Sequence, residues 1–195
     1  MKLGYFTMPL HPPSRNYVET LKEDRESIIL ADRLGFVEAL VGEHVTDTAE
    51  TVTDCATFIA SLIHSTKTIK LGTGTLNLPN GHPAQLAATV SMLDNMLEGR
   101  FVLGISPGGL PSDWEVFGNL TANRNAKFVE CINQMIAIWT GEPPYNIQGE
   151  YWNISTEKTM IPDIGQGIFL KPYQRPHPPI VVTAVEPFSK GVTEA

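Results

Sequence analysis

"EALVGEH", residues 38–44, decides the fold. Read as a strand, it sends Ala39, Val41 and Glu43 to one face and Leu40, Gly42 and His44 to the other. Its first half is apolar enough for a strand buried on both sides, as in a parallel sheet. It then finishes in an acid and a base, Glu43 and His44. Titratable residues where a buried strand hands over to its loop suit a fold that gathers its chemistry at strand ends.

Working outward, the hydrophobic period alternates between the strand value and the helix value. "LGYFTM" (3–8) is a short apolar strand. Residues 17–34 then carry a helical stripe of Val18, Leu21, Ile28 and Ala31, with Gly35 as the stop. After residues 38–44, a helix spans 54–66 with Cys55, Phe58, Ile59, Leu62 and Ile63 on one face. "IKLGTGTLNL" (69–78) is the third strand, and Pro83 fits the first turn of the next helix. Leu86, Val90, Leu93 and Leu97 form that helix's stripe. "RFVLGIS" (100–106) is the fourth strand. Ser112 and Glu115 have capping-box spacing and predict a short helix. A longer helix presents Phe128, Ile132, Met135 and Trp139 and stops at Gly141. Residues 142–178 are a Pro- and Gly-rich excursion with a short hairpin near "GEYWNI", and "PPIVVTA" (178–184) is a fifth strand.

Strands separated by helices imply right-handed crossovers and a parallel sheet. Two folds satisfy this order, a doubly wound sheet and a (β/α)8 barrel. A doubly wound nucleotide fold carries its glycine fingerprint after the first strand. Here that strand is followed by "PLHPPSRN", which has no glycine. Polar and glycine-rich segments instead follow strands two, three and four alike, as in barrels, where all the C-terminal loops build one site. The expected fold is therefore α/β, of the (β/α)8 TIM-barrel family, with only the first five strands present. A full barrel typically takes ~250 residues, and this chain has 195. Residues 1–195 are thus expected to be one partial-barrel domain, either cut short at the C-terminus or a natural short form.

Composition narrows the class. With 42% hydrophobic residues, the chain can bury a sizeable core. A formal net charge of -7 and the lack of any Lys/Arg cluster exclude nucleic acid as an expected partner. "MKLGYFTMPLHPP" is a poor signal peptide, and no apolar run is long enough for a membrane span, so the expected location is cytoplasmic. Cys55 and Cys131 lie far apart on predicted helices, which predicts small apolar packing and neither disulfide nor metal site.

Four blocks, "MKLGYFTMPLHPP", "LGFVEALVGEHVT", "IKLGTGTLNLPNGHP" and "LEGRFVLGISPGGLPSDWEVFG", agree in order and spacing with a known family. The chain resembles the bacterial luciferase-like, flavin-dependent monooxygenases, of the limonene- or alkanal-monooxygenase type. The likeness runs to about residue 120 and resumes at "RPHPPIVVTA". It implies a (β/α)8 barrel that takes reduced FMN from a separate flavin reductase. It further implies that O2 forms a flavin peroxide, which oxygenates a small apolar organic substrate such as a terpene or aldehyde. His44 matches the family histidine that acts as general base or stabilises the peroxide, with Val45 where a second histidine often stands. Gly74 and Thr75 fall where the family has a cis peptide beneath the flavin. Ser106 and Pro107 replace a reactive cysteine and a phosphate-gripping arginine, so luminescence is not expected and the phosphate is held elsewhere. Asp113 matches an acid near the flavin's edge, and Val185 and Ser189 match positions that help hold the phosphate.

Plainer readings stand beside these. His44 is either a reacting base or a bond to a neighbouring helix, and Glu43 either orients His44 or forms a structural ion pair. His82 precedes Pro83 and is either a helix cap or a flavin neighbour. Asp113 suits a helix N-terminus whatever the function, and Arg100 is structural. A dry pocket protecting the peroxide would draw on Tyr5, Phe6, Met8, Leu76 and Leu78. An open half barrel exposes parallel edges and an apolar inner face, so a homodimer or higher oligomer is expected. Two rival functions share the fold: a deazaflavin-dependent oxidoreductase that transfers hydride, and a flavin-binding remnant without turnover.

Overall fold

The computed structural model describes residues 2–183. Strand β1 (Gly4–Thr7) leads through helix α1 (Tyr17–Arg33) to β2 (Glu38–Val41), and α2 (Cys55–Ala60) leads on to β3 (Lys70–Thr73). The short β4 (Leu76–Asn77) precedes α3 (Pro83–Met96) and β5 (Phe101–Ser106). Helices α4 (Pro111–Val116) and α5 (Arg124–Thr140) follow, then the hairpin β6 (Asn146–Ile147) and β7 (Ile154–Ser155), and last β8 (Ile180–Val182). The main sheet has six strands, all parallel, in the order β1-β2-β3-β5, with β4 and β8 also paired to β5. Among the described residues it remains open, with β1 at one edge.

The register fixes which side chains share a face. Tyr5, Ala39, Leu71 and Phe101 align across four strands, as do Phe6, Leu40, Gly72 and Val102. The first row packs under the helices, where Ala39, Leu71 and Phe101 are fully buried. The second row forms the inner face, on which Phe6 is 58% exposed. The third strand expected from the sequence is split: β3 and β4 are separated by Gly74 and Thr75, whose joining peptide is cis. The Thr73 hydroxyl spans the gap, donating to the Gly104 carbonyl at 2.6 Å and accepting the Gly104 N–H at 2.8 Å.

Helix ends follow the local chemistry. Asn16 caps α1 by accepting the N–H groups of Val18 and Glu19. Gly35, at φ 81°, closes it, with the Phe36 N–H returning to Ala31 O at 3.0 Å. Three expectations need correction. Val18 faces solvent, and the buried stripe of α1 is Thr20, Asp24, Ile28, Ile29 and Ala31, because His11 and Thr51 satisfy the Asp24 carboxylate. Helix α2 stops at Ala60 and continues as turns, although all five expected apolar residues are buried. Helix α4 has no capping box: Pro111 occupies its first turn after Leu110, and the Ser112 hydroxyl lies 2.7 Å from that of Thr46.

Asp32 fastens the end of α1 to the segment entering β3. Its carboxylate accepts the N–H groups of Lys67, Thr68 and Ile69 and the Thr68 hydroxyl. Burial alone would raise its pKa, but these donors outweigh burial and bring it down to about 2. A depressed carboxyl stabilises the fold in full above its ordinary unfolded value near ~4, and that stabilisation is lost as pH falls through the folded value. Asp32→Ala should lower the unfolding free energy by about 1–3 kcal/mol at pH 7. The gap between wild type and variant should close between pH ~4 and ~2, as urea titrations at several pH values will read.

Candidate active site

The strand ends converge on Glu43 and His44, just beyond β2. Glu43 turns outward: one oxygen accepts the Cys55 N–H at 3.0 Å and the other accepts the Asn77 N–H at 3.2 Å. It thereby joins β2, the start of α2 and β4. Burial raises the Glu43 carboxyl above its ordinary range, and these N–H donors offset part of that rise. From Asn77 the network continues inward. Its Nδ2 donates to the Glu43 carbonyl at 3.4 Å, and its Oδ1 accepts the Ser106 hydroxyl at 2.8 Å. Ser106 Oγ in turn accepts the Thr75 hydroxyl at 2.7 Å and the Gly108 N–H at 3.1 Å. Thr75, at the cis bond, and Asn77, two residues on, are thus tied to β5 through side chains.

His44 faces the other way. Its Nδ1 lies 3.0 Å from Asp113 Oδ2, and its Nε2 lies 3.4 Å from Glu50 Oε2. Asp113, nearly fully buried on α4, also accepts the N–H groups of Val45 and Thr46 and the Thr46 hydroxyl. Burial would push this carboxyl up, yet the bonds from Thr46, His44 and the Val45 backbone hold it below the usual carboxylate range. Asp113 is therefore an ionised acceptor, which assigns the proton of that contact to Nδ1.

The remaining candidates sort by position. The Gly74–Thr75 peptide borders the glycine-rich part of the inner face. Gly42, Gly72, Gly74 and Gly104 share that face and are buried, with Met8 packed over Gly42, Leu40 over Gly72 and Val181 beside Gly104. A Cβ on Gly72 would lie 2.6 Å from both Val102 O and Leu40 Cδ2, so no larger residue fits. Phe6 is exposed on this face, and the hydroxyls of Thr75 and Ser106 stand at its end. His82 caps α3, accepting the Ala84 N–H at 3.2 Å, and stands edge-on to Trp152. Val185 and Ser189 lie outside the described residues. Of the expected apolar lining, only Phe6 and Met8 belong to the inner face. Tyr5 packs against Phe36 and bonds Ser27, while Leu76 and Leu78 enter the helix-side core. Cys55 and Cys131 are free and buried, and burial raises both thiols, Cys131 to about 12. Arg100 ties Ile69 O and Thr66 and is structural. Asn77, Thr46 and Glu50 were not read from the sequence, since nothing in their spacing distinguishes them from loop polar residues.

Comparison with known proteins accords with this geometry. Residues 1–193 match the model of the luciferase-like monooxygenases, and the chain belongs to that family. It is 33% identical over 144 residues to 4-hydroxyprotoasukamycin monooxygenase of Streptomyces nodosus subsp. asukaensis, covering 74% of this chain and 39% of the relative. It is 32% identical over 139 residues to limonene 1,2-monooxygenase of Rhodococcus erythropolis, covering 71% and 36%. Among solved structures, it resembles the oxygenating constituent of 3,6-diketocamphane monooxygenase from Pseudomonas putida in complex with FMN. The TM-score is 0.85 at 29% identity, over 94% of this chain and 51% of that one. The chain thus spans about half or less of the length of these proteins.

Glu43 gives the sharpest stability test of the site's frame. Glu43→Ala orphans the N–H groups of Cys55 and Asn77, and each buried unsatisfied group costs about 1–3 kcal/mol. Denaturant unfolding should show a loss of that order, whereas a Glu43 that only met solvent would cost under about 0.5 kcal/mol.

Proposed function

We propose that this chain forms the flavin-facing part of an FMN-dependent monooxygenase that oxygenates a small apolar organic compound, a terpene, cyclic ketone or aldehyde. The observation that carries this reading is His44, held by ionised Asp113 at the strand end beside the cis Gly74–Thr75 peptide. The inner face supports it, because Phe6, Met8, Leu40 and Val102 give an apolar surface against which a ring can lie. Reduced FMN, when bound, supplies the electrons that activate O2. A separate reductase would deliver it, since no glycine fingerprint for a nicotinamide follows β1.

The protein's own work is positioning and proton handling. Asp113 fixes the His44 ring and keeps the proton on Nδ1, which leaves Nε2 to take or give a proton at the reacting oxygen. The Thr75 hydroxyl, which donates to Ser106, keeps its lone pairs for a polar edge of the cofactor. The exposed Phe6 on the inner face favours self-association, which light scattering coupled to size exclusion will read.

The test begins with titration of the protein by oxidised and reduced FMN, followed by absorbance and fluorescence. Binding at micromolar FMN is expected, with product formed from terpenes or aldehydes once a reductase is added. His44→Ala should keep FMN affinity within about twofold and lower turnover by about 10²–10⁴. Unchanged turnover would remove His44 from the mechanism. A preference for deazaflavin over FMN, with no O2 uptake, would move the reading to hydride transfer.

A further inference from the structure

We propose that Glu50 acts through His44 as a proton relay, exchanging the Nε2 proton with solvent. The inference rests on the reading of His44 as the acid–base residue of the site, and it starts from an asymmetry. The two ring nitrogens face two carboxylates held in opposite ways. Asp113 accepts from two backbone N–H groups and the Thr46 hydroxyl besides His44, so it is fixed. Glu50 is fixed only in its backbone. Asp47 Oδ1 accepts the N–H groups of Ala49 and Glu50, and Glu50 forms an isolated bridge with Leu10. Its carboxylate accepts no hydrogen bond among the described residues, and Oε2 is buried without a partner.

A buried acceptor left without a bond calls for an explanation. At 3.4 Å, the contact with His44 Nε2 is an ion-pair distance and longer than a formed N–H···O bond. The contact can therefore tighten to pass a proton or open without breaking any other side-chain bond. The His44 side chain is 13% exposed and that of Glu50 is 25% exposed, so Glu50 is the more open of the two. No other charged group among the described residues faces the ring. Glu43 is taken up by Cys55 and Asn77, Asp24 pairs with His11 at 2.9 Å, and Asp47 is turned to backbone amides.

The step balances within these groups. From protonated His44, the Nε2–H bond breaks and an Oε2–H bond forms, leaving neutral imidazole and a carboxylic acid. The carboxyl then turns its O–H toward the exposed side of Glu50, water takes that proton and the carboxylate re-forms. The Nδ1 proton stays on the Asp113 side throughout. Nε2 is left with a free lone pair and can accept the next proton from a bound reactant. Run in reverse, the same path recharges the ring.

Two readouts test this. In the chain without cofactor, exchange of the His44 imidazole N–H proton with water is followed by 15N NMR. Glu50→Gln should slow that exchange by on the order of tenfold, and Glu50→Asp should restore part of it. Equal exchange rates in wild type and Glu50→Gln overturn the relay. In the turnover assay, Glu50→Gln should keep FMN affinity within about twofold, lose on the order of tenfold in kcat and lose one limb of the pH profile, with partial recovery in Glu50→Asp. Equal kcat and pH profile in wild type and Glu50→Gln overturn the relay whatever the spectra show. If wild type itself fails to oxygenate any substrate, the proposed function falls and the 15N exchange measurement alone decides the relay.

Discussion

A buried carboxylate bonded to backbone amides joins the strand ends of this protein. Glu43 stands at the end of β2, receives the first N–H of α2, and receives the N–H of Asn77 from β4. Burial disfavours its charge, and the two N–H donors partly compensate. One side chain therefore bonds three elements that also pack together in one apolar cluster. Asn77 passes that link on to Ser106 and Thr75, so the hydroxyls around the cis peptide take their positions from the same anchor.

With the frame set, the adjacent residue is free for chemistry. Neighbouring residues on an extended chain point oppositely, so Glu43 facing the helices puts His44 toward the open end. There it meets Asp113, brought by α4 from another strand's loop, and Glu50, brought back by its own loop. That loop is shaped by the His44 N–H bonding to Val52 O and by the Asp47 turn. The unequal grip of the two carboxylates gives the ring one nitrogen of fixed role and one of variable role. Such pre-positioning is what general acid–base chemistry requires.

The same division runs through the fold. Apolar periodicity located the parallel strands, with β3 and β4 read as one, and each long helix, because burying a face imposes a period. It misjudged detail wherever a polar side chain overrode the pattern. Asp24 entered the core because His11 and Thr51 satisfied it, and Val18 was left outside. Pro111 took the helix start from Ser112 because its fixed φ suits a first turn. The third strand broke at Gly74, where Thr73 supplies bonds that the ladder lacks.

The sequence by itself determined that strands and helices alternate, that the sheet is parallel, and that Glu43, His44 and Ser106 lie at strand ends. These are consequences of short-range chemistry: side-chain period, turn residues and caps. Only the tertiary structure decided that Asp113 meets His44 across 69 positions, that Asn77 links Glu43 to Ser106, and that Glu50 faces the free ring nitrogen. Those contacts depend on strand register and loop return, through which residues distant in the chain come within hydrogen-bond reach, and no local period records them.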